Sequence, residues 1–200
     1  MILPFNIDTI IHSQCWTFNR MAIIENEPYG YGWVVSKYNI FLDENYKAYF
    51  DDLDIYNYYG SMFLIKTIEL KLIKSVVEYF KTMIKQEFYL SICCDYRLLG
   101  WDTAYQEQEL LFYGFNDNEK IFYLTQYNMK NNKYEKTTIT YNKLLEIINK
   151  LKNNTSDVEY LQTILTSKYL TLIKPRKQEL DINIILVECL KKNKNRILLL

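Results

Sequence analysis

The chain has one histidine, His12, among its 200 residues, so no mechanism that needs two imidazoles works within it. Glycine and proline are scarce, at five and three, and no Gly/Ser or Pro-rich linker or internal repeat divides the sequence. Charge is balanced, with 24 Lys and Arg against 24 Asp and Glu. A chain-wide basic field for gripping phosphate backbones is therefore missing, which argues against general nucleic-acid binding. No apolar run approaches the roughly 18 residues that cross a bilayer as a helix. The opening residues lack the basic and apolar regions of a secretory signal. Cys15, Cys93, Cys94 and Cys189 form no CxxC pair and no zinc spacing. Adjacent Cys93 and Cys94 point to opposite faces of a strand, which suits neither a shared metal nor a mutual disulfide. The expectation is a reduced, cytoplasmic protein with no membrane partner and no bound cofactor or metal.

What the chain does have is apolar bulk: 49% hydrophobic residues, with 19 Tyr and 10 Phe. That is enough to bury a substantial core and excludes a disordered chain. Residues 13–24 read as a helix with Ser13 or Asp8 as its cap. Leu72, Ile73, Val76, Val77, Phe80, Met83 and Ile84 recur at helical spacing and predict a helix over 70–85. Residues 88–95 suit a strand. Residues 109–115 and 120–127 form a hairpin around the polar Asn116–Glu119 connection, and 134–140 add a third strand. A short strand is expected near 46–50. Thr140 caps a helix with its stripe at Leu144, Leu145, Ile148 and Leu151. Two more helical stripes follow, one through Val158–Leu165 and one through Ile182–Leu190. Helices, then an antiparallel sheet of about four strands, then helices make an α+β chain, not a doubly wound nucleotide fold.

Chemistry-bearing motifs are few. No GxxxxGK[ST], GxGxxG or GxSxG pattern occurs, and the acidic stretch at 43–54 lacks the spacing of a calcium loop. The aromatic strands lack the interleaved Lys and Arg of an RNA-binding sheet, so they read as core. The stretch His12-Ser13-Gln14-Cys15-Trp16-Thr17-Phe18 stands apart. A cysteine in the first turn of a helix meets unpaired N–H groups that favour its thiolate, while free cysteine is also among the most buried residue types. Both readings of Cys15 stay open on these residues. His12 lies three residues before it and is a weak alternative base, or simply a satisfied imidazole.

The Cys15-Trp16 step resembles the active-site helix of papain-like cysteine peptidases. The order of helix, strand and hairpin, with Glu109-Leu110-Leu111-Phe112-Tyr113-Gly114-Phe115-Asn116-Asp117 and Lys120–Gln126, resembles the butirosin biosynthesis protein H N-terminal-like family. The likeness covers roughly residues 10–150. It implies a papain-like (C39-like) domain over residues 1–150, with a Cys-bearing N-terminal helix on the sheet, followed by a C-terminal helical extension over 151–200. It also implies a setting in peptide or nonribosomal natural-product biosynthesis. Carried over, Cys15 takes the nucleophile position, Gln108 the family's His position, with Gln106 next, and Gln126 the Asp position. A Gln side chain has no pKa near neutrality and shuttles no proton. The resemblance therefore implies a degenerate member that binds a carrier protein, a peptide or a partner enzyme. The alternatives are an active acyltransferase or amidase using Cys15, with His12 or a partner's residue as base, and a plain protein-interaction module. The apolar Ile197–Leu200 tail either tucks into a groove or marks a cut chain.

Overall fold

A computed structural model describes residues 1–9, 15–28, 30, 40–42, 48–50, 63–95, 100, 107–128, 133–153 and 168–176. The chain divides into two compact units, Met1–Ile23 with Ile65–Lys174, and Ile24–Leu64 with Pro175–Leu200. In the second unit a small antiparallel pair joins β1 (Ile40–Leu42) to β2 (Ala48–Phe50), the short strand expected near residue 50. The Arg176 Nε donates to the Phe63 carbonyl at 3.2 Å. The expected helices at 158–165 and 182–190, together with His12 and Gln106, lie outside the described residues.

The first unit is built on a six-stranded sheet in the order β3-β8-β4-β5-β6-β7. Its strands are β3 (Phe63–Glu69), β4 (Tyr89–Asp95), β5 (Glu107–Asn116), β6 (Ile121–Asn128), β7 (Lys133–Thr140) and β8 (Tyr169–Pro175). The pairings running from β8 to β7 are all antiparallel. The chain is thus α+β, with two more strands in this sheet than the sequence suggests. β8 carries the first unit beyond residue 150, because Tyr89–Ile92 pairs with Leu170–Ile173.

Aromatic and aliphatic side chains fix which face each helix covers. On one face, α2 (Val76–Lys85) sets Phe80 edge-on to Phe112 and Phe122, at centroid distances of 5.2 and 5.6 Å. α3 (Tyr141–Asn153) packs beside α2 on that face. On the other face lie α1 (Cys15–Ile24) and the N-terminal segment. Phe18 of α1 stacks on Tyr134, and Phe5 stacks on Tyr113 at 4.9 Å. Burying such a ring contributes on the order of 1.5–3 kcal/mol, so the two faces together account for much of the core.

The helix read over 70–85 starts later than its apolar spacing suggests. Residues Leu70–Leu72 form one 3-10 turn, closed by the Ile73 N–H on the Leu70 carbonyl at 3.1 Å. Ile73 and Ser75 then take extended backbone, and α2 begins after Ser75. Leu72, counted in the apolar stripe, is 63% exposed. The α3 stripe is similarly shifted: Ile147 is buried in place of Leu145, while Thr140 Oγ1 accepts the Lys143 N–H at 3.2 Å as the expected cap.

α2 ends in a Schellman arrangement, with Phe88 N–H on the Met83 carbonyl at 3.0 Å and Glu87 N–H on the Ile84 carbonyl at 2.9 Å. Glu87 takes φ 65° there, a position glycine fits better. The hairpin turn is Asp117–Lys120, one residue later than the expected connection, with Asn116 closing β5. Residues 113–115 of the aromatic-Gly-aromatic run are strand, and they pair on their open side with the N-terminus. Leu3 N–H donates to the Tyr113 carbonyl at 2.7 Å and Phe115 N–H to the Met1 carbonyl at 2.8 Å. Gly114 makes that approach possible: a Cβ there would sit 2.8 Å from the Met1 oxygen.

Candidate functional site at the start of the first helix

Cys15 is the first residue of α1 and half-buried. Its Sγ accepts the backbone N–H of Glu109 at 3.5 Å, so the helix start abuts β5. One turn further along α1, Asn19 and Arg20 are buried and reach the Glu109 side chain. The Arg20 Nη1 lies 2.9 Å from Oε1 and 2.7 Å from Oε2 of that carboxylate. The Asn19 Nδ2 donates to Oε2 at 3.0 Å, and Ser91 Oγ of β4 donates to Oε1. Thr125 Oγ1 of β6 completes the cluster by donating to Asn19 Oδ1 at 3.0 Å. Residues of α1 and β4 thus converge on Glu109, which is 2% exposed, and β6 joins through Asn19.

Strand pairing explains this convergence. Cys93 opposes Glu109, so Ser91, two residues along β4, lies diagonally across on the same face. A carboxylate offers about four acceptor sites, and the contacts from Arg20, Ser91 and Asn19 saturate them. Burial pushes the Glu109 carboxyl up, but the Arg20 charge and the Arg20, Ser91 and Asn19 hydrogen bonds outweigh it and hold the group below its ordinary value. Glu109 therefore stays ionised and hydrogen-bonded. A general base needs a spare lone pair and a pKa near the working pH. Glu109 offers neither.

Gln108 and Gln126 occupy different ground from Cys15. Side chains alternate along a strand, and paired residues share a face. Gln108 pairs with Cys94 and follows the parity of Leu110 and Phe112, so it lies on the α2 face. Gln126 pairs with Glu135 and follows the parity of Leu124 and Phe122, placing it on the α2 face as well. The Gln126 Oε1 is buried and has no hydrogen-bond partner among the described residues. The structure brings Cys15 to the β5 backbone, and the residues that face α1 there are Glu109 and Thr125, one position away from each Gln. Cys93 and Cys94 point to opposite faces, as expected, and both are buried.

Sequence reading passed over Asn19, Arg20, Ser91, Glu109 and Thr125. A signal was present at Glu109: the unbroken apolar run Leu110-Leu111-Phe112-Tyr113 marks a strand covered on both faces. A glutamate bordering such a run has no solvent face to turn to and needs a buried cation, and Arg20 follows the apolar Phe18 on a helix. Among the described residues no group of three or more His, Cys, Asp and Glu is placed to hold a metal ion. No described helix is long and apolar enough to cross a membrane. No family model, curated protein or solved structure matches the chain.

Proposed function

We propose that this chain is a catalytically impaired protein of papain-like fold, belonging to peptide or nonribosomal natural-product biosynthesis, that works by binding a carrier protein, a peptide or a partner enzyme. A cytoplasmic setting belongs to the same reading. One observation carries the impairment: the carboxylate that faces α1 beside Cys15 is bound to Arg20, Asn19 and Ser91. A cysteine transferase needs a base across its groove to take the thiol proton, and general-base help is worth roughly 10²–10⁴ in rate. The biosynthetic setting and the kind of partner rest on the resemblance of the Cys15 helix and the β5–β6 hairpin to the butirosin protein H family.

A second reading, an acyltransferase or amidase with Cys15 as nucleophile, draws on a separate observation. The sulfur stands at a helix start and accepts the Glu109 N–H at 3.5 Å, both of which favour thiolate. Alkylation of the folded protein by iodoacetamide, located by peptide mass spectrometry, separates the two. Impairment predicts that Cys15 labels only as pH approaches the ordinary thiol pKa of about 8.5. Efficient labelling of Cys15 at about pH 6, with buried Cys93 and Cys94 protected, would count against the impairment and support the enzyme reading.

A further inference from the structure

We draw no further inference here: the strongest candidate, the open apolar groove between the 3-10 turn at Leu70–Leu72 and the start of α2, lined by Ile68, Leu72, Ile73 and Tyr79, carries nothing because nothing in the structure shows what covers it.

Discussion

Replacing Arg20 by Met tests whether the polar cluster holds α1 on the sheet through a genuine buried ion pair. Arg20 and Glu109 side chains are 4% and 1% exposed and meet at 2.7 Å. Removing one partner of such a pair leaves a buried charge uncompensated, which costs about 3–5 kcal/mol. Against a total stability of about 5–15 kcal/mol for a typical domain, that is a large share. Met keeps most of the aliphatic volume, so the loss reports charge more than packing.

The pH dependence makes the test sharper. In the native protein the Glu109 carboxyl sits below its ordinary value because Arg20, Ser91 and Asn19 together outweigh burial. Its contribution is complete above the unfolded-state pKa of about 4.3 and is lost as pH falls through the lower folded value. Without Arg20 the dominant influence is burial, which lifts the folded value above the unfolded one. Glu109 then stabilises only while protonated, and that contribution is lost as pH rises through the raised pKa. Urea titrations of both proteins should therefore show a deficit of about 3–5 kcal/mol at pH 7 that shrinks markedly near pH 4, at unchanged m. Arg20→Met combined with Glu109→Leu should recover much of the loss, since an apolar replacement of a whole buried pair is often neutral or better. A deficit below about 1 kcal/mol, or one of equal size at both pH values, would refute the ion-pair reasoning.

Three other substitutions probe the frame around the site. Gly114→Ala places a methyl 2.8 Å from the Met1 oxygen and 3.0 Å from the Ile2 Cα, so the N-terminal segment must shift. The expected cost is about 1–3 kcal/mol, with hydrogen-exchange protection lost at the Leu3 and Phe115 amides; protection equal to the native protein's would contradict it. Glu87→Gly relieves the φ 65° backbone at the end of α2 and should gain about 0.5–1 kcal/mol by thermal melting. The exposed pair it gives up, with Lys174 at 3.1 Å, is worth less than that. Phe80→Ala empties a fully buried site against Phe112 and Phe122 and should cost about 3–5 kcal/mol in chemical denaturation. A loss under about 1 kcal/mol would mean that α2 is not seated on this sheet.

Most of the sheet's central meander was legible, because β4 to β7 are runs of strand-forming residues, with the polar turn Asp117–Lys120 between β5 and β6, and Thr140 announced α3. β3 and β8 were not, and both lie away from that local meander. β8 is paired with β4, about 80 residues earlier in sequence, so its only local sign is the brief run Tyr169–Ile173 among helical stripes. The candidate site was half legible. A helix running on from Cys15 follows from local periodicity. Its neighbours on the facing strands depend on register, and in a strand a slip of one residue moves a side chain to the other face. The register between β5 and β6 itself shifts between Phe112 and Gly114, which no local pattern foretells.

That one-residue offset bears directly on function. A thiol at a helix start and a titratable side chain on the facing strand are two of the parts that cysteine catalysis requires. Here the strand supplies Glu109, but the adjoining turn of the same helix supplies Arg20 to neutralise it. The two demands on Glu109 are incompatible: anchoring α1 wants a carboxylate saturated with donors and a depressed pKa, while proton transfer wants a spare lone pair and a pKa near neutrality. Freeing the carboxylate by removing Arg20 would supply the second only at the expense of the anchor that holds Cys15 against β5. A working base for Cys15 would therefore have to come from elsewhere, which is why the alkylation profile of Cys15, not the presence of the thiol, decides between scaffold and enzyme.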